Sequence, residues 1–389
     1  MLSKRRPSTN SRPWVKAVGS WGCSATTSTR ISPVVLPGSG AAGPDRETGV
    51  PPSPTPHDVA RVSPQANTAA WRDAVPGFTD RRLCRRGRLT VWKGSDVNGT
   101  GPSGGCIEHD GLEIAYLDWR TAAGATHHEP LVVLHPTGFC AGVFDPLVPL
   151  VGGTFEVIGV DLRGHGASQT VIAVDQLGND QMALDVLAVV DHLGIDRFCL
   201  LGVSLGGGIA IEVAAAAPGR VASMMLCEAI AIDSGTREAH HFAYEGGEHP
   251  LAVAARRRRP VWPDRTTVVE SYGSRPPLSI LAPEVLDAYV RWGFVDTPDG
   301  QVELACAPDT EANIFGSAER HGPTSTFERL ADVTCPASVL AGTDTNLERQ
   351  WFEAQARLLD TELVLVDGSH FFLFEDLDRG ASLILKHLG

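Results

Sequence analysis

The chain has 389 residues, with 43% apolar and 20% charged side chains and a formal net charge of −13, the profile of a globular protein large enough for a sizeable core. No apolar run reaches the roughly 18 residues a membrane span needs, and the acidic balance argues against nucleic acid or an anionic membrane as the main partner. The eight cysteines form no CxxC pair and no metal-ligand spacing. Those inside apolar runs, such as Cys199 and Cys227, read as reduced buried thiols.

Charge divides the chain in two. Residues 1–105 carry 15 Lys and Arg against 6 Asp and Glu, and the remainder carries 18 against 40. The leader is rich in Pro, Gly, Ser, Thr and Arg without sustained periodicity, a composition expected to stay largely disordered. Its first 44 residues hold six basic side chains and no acid, like an organellar transit peptide; without that use the protein is expected in the cytoplasm. "CRRGR" (Cys84 to Arg88) reads as a solvated basic run.

From about residue 106 to 389, β and α patterns alternate. "GLEIAYLDWR" reads as a strand, "LVVLH" (Leu131 to His135) as a buried strand and "FEVIGVDLRG" as the next. "QMALDVLAVVDHLG" has helical apolar spacing ending at Gly194. "RFCLLGVS" is a strand running straight into the helix "GGGIAIEVAAAAPG", and "VASMMLCEA" is a further strand. A long insert follows, about 230–330, before "ASVLAGT", "ELVLVDGSH" and a closing helix "GASLILKHLG". Short strands alternating with helices predict an α/β fold with a mostly parallel central sheet and helices on both faces.

Gly202-Val203-Ser204-Leu205-Gly206 stands at the junction of a predicted strand and helix. G-x-S-x-G there suits a nucleophile elbow. A sharp strand-to-helix turn lifts the serine hydroxyl off the sheet and presses the flanking glycines against neighbouring backbone. It also leaves the amide of Leu205 at a helix N-terminus, aimed at an incoming oxyanion. A serine is a weak nucleophile and needs a general base. Of thirteen histidines, His127, His128, His240, His241 and His249 fall in polar segments and read as solvated. His165 in "RGHG" reads as structural, and His370, after the last predicted strand, is the candidate base.

"HPTGF" (His135 to Phe139), "DLRGHGAS" (Asp161 to Ser168), the elbow, and "DGSHFF" (Asp367 to Phe372) follow one another in the order of the α/β-hydrolase superfamily, which the chain resembles over roughly residues 107–389, in the esterase, lactonase and C–C hydrolase branch with a helical cap. The resemblance implies a triad in the order serine, acid, histidine, with the acid just after the strand that follows the cap. Asp344, two residues beyond Gly342, is the expected acid. Many relatives place theirs one residue later, where this chain has Thr345, and Glu228, ending "MMLCE", is the alternative acid. The oxyanion donors implied are the amides of Leu205 and Thr137; Pro136 has no N–H to offer.

The function expected is a serine hydrolase that cleaves an ester, thioester or lactone of a small molecule through an acyl-enzyme on Ser204, with no metal or organic cofactor. The alternatives are a C–C hydrolase or cofactor-free haloperoxidase-like enzyme on the same triad, and a ligand receptor that keeps the pocket. In the insert, "APEVLDAYVRWGF" (Ala282 to Phe294) and "DTEANIFGSAER" are helical candidates for a cap over the serine. Tyr289, Trp292 and Phe294 would form the cap's own core or line the pocket. "ARRRRP" (Ala255 to Pro260) would be a solvated run or would steer an acidic substrate.

Overall fold

The computed structural model describes residues 102–120, 125–233, 235, 249–316 and 322–389. The expected leader lies outside these up to residue 101, as do His240 and His241, and residues 103–105 already belong to the first strand. β1 (Ser103–His109) and β2 (Leu112–Asp118) form an antiparallel hairpin. The Asp110-Gly111 pair that closes it has φ of 52° and 73°, the positive values a tight two-residue hairpin turn requires.

β3 (Leu131–Leu134), β4 (Val157–Val160), β5 (Phe198–Val203), β6 (Val221–Cys227), β10 (Ala337–Gly342) and β11 (Leu363–Val366) are parallel and complete an eight-stranded sheet in the order β1-β2-β4-β3-β5-β6-β10-β11. β3, β4 and β5 are buried along their whole length, as expected where helices cover both faces. Their side chains alternate between two cores. Val132, Leu134, Phe198 and Leu200 join α1 (Asn179–His192), α2 (Leu205–Ala216) and α8 (Arg349–Leu358) on one face. Leu131, Val133, Cys199 and Leu201 join α9 (Leu377–Leu388) on the other. α2 is apolar apart from Glu212 and buried from Leu205 to Ala215, the pattern of a helix enclosed by its neighbours. The chain runs from β3 outward to β4, then crosses back to β5. This reversal opens a crevice at the carboxyl ends of β3 and β5, where ligands of such sheets bind.

The insert holds α3 (Pro250–Arg256), α4 (Arg265–Gly273), α5 (Pro283–Trp292) and α6 (Pro308–Gly316). It also holds a three-stranded antiparallel sheet of β7 (Val261–Trp262), β8 (Phe294–Asp296) and β9 (Val302–Leu304), which the helical reading of the insert did not anticipate. These strands are two or three residues long, too short for an alternating pattern to register. α7 (Pro323–Arg329), inside the expected cap, packs instead on the core: Thr326 donates to Glu212 of α2 at 2.8 Å and accepts from Asn179 of α1 at 3.0 Å. No helix of the described residues is long and apolar enough to cross a membrane.

Candidate active site

Ser204 sits at the sharp turn between β5 and α2 with φ 55° and ψ −116°, a backbone conformation costing an L residue about 1–3 kcal/mol. Surrounding hydrogen bonds hold it there. Its amide donates to Cys227 O at 2.9 Å, and its carbonyl accepts from Gly207 at 3.0 Å and Ile230 at 3.1 Å. A Cβ at Gly202 would run into the Gly206 carbonyl, and one at Gly206 into the carbonyl of Leu134, just before the HPTGF loop. The close approach that demands glycine thus also brings the start of α2 against that loop. Ser204 is 8% exposed.

Strand register sets the neighbours. Val203 pairs with Cys227 and Cys227 with Leu340, while Gly342 pairs with Val366. Residues leaving β5, β6, β10 and β11 therefore emerge at one carboxyl edge, and Ser204, Glu228, Asp344 and His370 all lie along it. Glu228 is fully buried and, like Ser204, has a positive φ, 49°. Its carboxylate accepts from the Gly342 amide at 2.7 Å through Oε1. Through Oε2 it meets Thr345 Oγ1 at 2.6 Å and His370 Nδ1 at 2.6 Å. With the proton on Nδ1 for this bond, Nε2 keeps its lone pair, as a general base requires.

Of the two acids the sequence offers, the structure brings Glu228 and not Asp344 to His370. Asp344 is exposed on the loop after β10, and what its residue contributes locally is a backbone bond, its amide to Gly368 O at 2.9 Å. The same loop turns the Gly342 amide and the Thr345 hydroxyl inward onto Glu228. The position where the resemblance puts a carboxylate thus carries a donor that satisfies the carboxylate of the neighbouring strand. Sequence reading had Glu228 as the alternative and missed Thr345 as its partner; a hydroxyl at that position was the available signal.

Two buried histidines hold the HPTGF loop. His135 Nδ1 donates to Pro136 O at 2.8 Å and its Nε2 accepts from Leu162 N at 3.1 Å. His165 Nε2 accepts from Gly138 N at 3.1 Å, and its Nδ1 donates to Arg163 O at 3.2 Å. Burial pushes the His165 pKa down to about 4 and holds His135 well below the usual range, with His165 adding to that depression. Both rings stay neutral, each with one acceptor nitrogen, as their bonds demand. Burial also raises the Asp161 carboxyl to about 6, beside amides of Ala141 and Ala167 that donate to it at 2.7 and 2.8 Å.

In the insert, Tyr289, Trp292 and Phe294 are 1%, 7% and 3% exposed and serve as packing rather than as an open lining. Tyr289 and Phe294 share one apolar cluster with Phe139 and Phe371 of the core. An aromatic series runs from His370 through Phe371 (4.9 Å between ring centroids) and Phe139 (5.3 Å) to Tyr289 (4.8 Å). The ARRRRP run is mostly internal to the insert. Arg256 donates to Asp309 at 2.5 Å and to Asn313 at 2.8 Å, Arg258 is buried against Glu311, and Arg259 lies over the Trp262 ring at 4.6 Å. His249, expected to be solvated, caps α3 by accepting from Leu251 N at 3.2 Å. Among the described residues, no group of three or more His, Cys, Asp or Glu side chains is placed to hold a metal ion.

Residues 129–246 match the α/β hydrolase fold family. A dihydrolipoyllysine-residue acetyltransferase component of an acetoin cleaving system from Cupriavidus necator is 27% identical over 282 residues, 72% of this chain and 67% of that protein. A Pseudomonas putida component of the same name is 39% identical over 99 residues, so that 25% of this chain matches only 26% of that protein. A non-heme haloperoxidase of Rhodococcus erythropolis is 37% identical over 123 residues, 31% of this chain and 42% of that protein. Among solved structures, E-2-(acetamidomethylene)succinate hydrolase superposes with a TM-score of 0.60 at 19% identity, covering 74% of this chain and 99% of that one, a likeness of fold. The chain has the α/β-hydrolase fold.

Proposed function

We propose that the protein is a serine hydrolase that opens an ester, thioester or lactone bond of a small molecule. His370 takes the proton of Ser204 as its oxygen attacks the carbonyl carbon. Glu228 holds the imidazole by Nδ1 and stabilises the positive charge it acquires. The amides of Leu205 and Thr137 receive the oxyanion, where each donor is worth about 3–4 kcal/mol in the transition state. Collapse expels the alcohol or thiol, which takes the proton from His370. Water activated by the same ring then releases the acid and restores Ser204. The observation that carries this reading is the 2.6 Å contact between Glu228 and His370 at the sheet edge where Ser204 emerges from its strained turn.

The test is a panel of p-nitrophenyl esters against wild type, Ser204→Ala, Glu228→Gln and Asp344→Asn. Ser204→Ala should abolish turnover and its labelling by a fluorophosphonate; turnover that survives would remove Ser204 as nucleophile. The similarity to a haloperoxidase supports a second reading on the same residues, in which hydrogen peroxide replaces water and the acyl group leaves as a peracid. Acetate- and Ser204-dependent bromination in peroxide would favour it.

A further inference from the structure

The loop carrying Thr137 is gripped from two sides, and one grip belongs to the insert. Gly138 has φ 77°, and a Cβ there would lie 2.9 Å from Glu311 Cδ and 3.1 Å from Arg258 Nη1. A buried guanidinium and carboxylate therefore rest directly on the loop backbone. The Tyr289 hydroxyl donates to Gly138 O at 3.1 Å. Arg258 Nη2 donates to that same hydroxyl at 2.7 Å, so the oxygen is occupied as an acceptor and its proton is directed at Gly138. Arg258 Nη1 in turn is fixed by Glu311. The three residues are 6% (Arg258), 1% (Tyr289) and 9% (Glu311) exposed.

From the core side, Gly138 N–H is held by His165, and Pro136 O by His135 and by Phe139 N at 3.2 Å. Because the peptide unit is planar and trans, its N–H points opposite its C=O. Fixing Pro136 O therefore fixes the direction of the Thr137 N–H, and holding Gly138 N–H and Gly138 O fixes the two peptides that follow it. A buried ion pair is a weak source of stability, since desolvation offsets its attraction. Here it aims a hydroxyl at the backbone that carries an oxyanion donor.

We propose that Tyr289, held by the Arg258–Glu311 pair, is a positioning residue for the oxyanion loop, so that the docked cap completes the donor geometry used by Ser204. This rests on the serine-hydrolase reading above. Displacing such a donor by a fraction of an ångström weakens binding of the transition state more than of the substrate.

Tyr289→Phe keeps the ring and removes the hydroxyl. We expect kcat to fall about tenfold and the Ki of an alkyl trifluoromethyl ketone, whose adduct places an oxyanion in the hole, to rise by a similar factor, with KM within about twofold. Glu311→Gln should move kcat and Ki the same way by a smaller factor, and it carries the test if Tyr289→Phe does not fold. Phe294→Leu, which loosens the cap core beside Tyr289 without removing a polar group, should leave both within about twofold. Active molecules are counted by stoichiometric fluorophosphonate labelling. A raised KM with kcat and the ketone Ki unchanged would overturn the inference, as would Phe294→Leu reproducing the loss. Wild-type protein that takes no label on Ser204 would defeat the hydrolase reading itself and this inference with it.

Discussion

β6 and β10 are neighbours in the sheet, and each is followed by an acid that the sequence offers for the same task. Glu228 follows β6 directly, fully buried, with the Gly342 amide, the Thr345 hydroxyl and the His370 ring on its carboxylate. Asp344 follows β10 by two residues and is exposed. The lesson is that reach along the chain does not decide which carboxylate meets the histidine. A carboxylate withdrawn from water needs several donors to compensate, and the β10 loop spends its own on its neighbour.

The largest effect that would break this comparison is Glu228→Gln, expected to lower kcat/KM by roughly 10³–10⁴-fold, because an amide cannot stabilise the imidazolium. Equal losses from Asp344→Asn would reverse the assignment. Installing Thr345→Asp on the Glu228→Gln background moves a carboxylate to the other strand. We expect it to regain roughly tenfold to a hundredfold of the lost rate, read on the same ester. Thr345→Val removes a donor from Glu228 and leaves the acid in place, and should cost kcat about fivefold to tenfold. Asp344→Asn alone should change kcat/KM by less than about twofold, as befits an exposed charge.

The opposite flank of Ser204 sharpens the contrast, since it is held by neutral rings. His165 has its folded pKa depressed to about 4 from 6.5, so above pH 6.5 it adds no pH dependence to stability. Below that the unfolded chain binds a proton the folded chain refuses, and stability falls until about pH 4. Asp161, raised to about 6, acts in the other direction and is common to wild type and His165→Gln. In urea titrations between pH 6.5 and 4.5, wild type should lose about 1 kcal/mol per pH unit more than the variant. Parallel pH profiles would mean that His165 is not held neutral.

Much of this was written in local patterns. The buried runs LVVL, VIGV and FCLLGV became β3, β4 and β5, and the glycines around Ser204 lie where a Cβ would strike backbone. β2 was legible in GLEIAYLDWR, but its hairpin partner β1 escaped notice because Ser103, Gly104 and Gly105 dilute it, although Asp110-Gly111 marked the turn. The sheet inside the insert escaped because two- and three-residue strands leave no period to read.

By itself the sequence determined the parallel sheet, the elbow at Ser204 and the histidine after β11, because burial period and glycine sterics act within a few residues. Only the tertiary structure decided that Glu228 meets His370, that Thr345 serves that acid, and that Tyr289 reaches Gly138. The separations are 142, 117 and 151 residues, and at such distances strand order and side-chain direction, which no local pattern encodes, determine which polar groups meet.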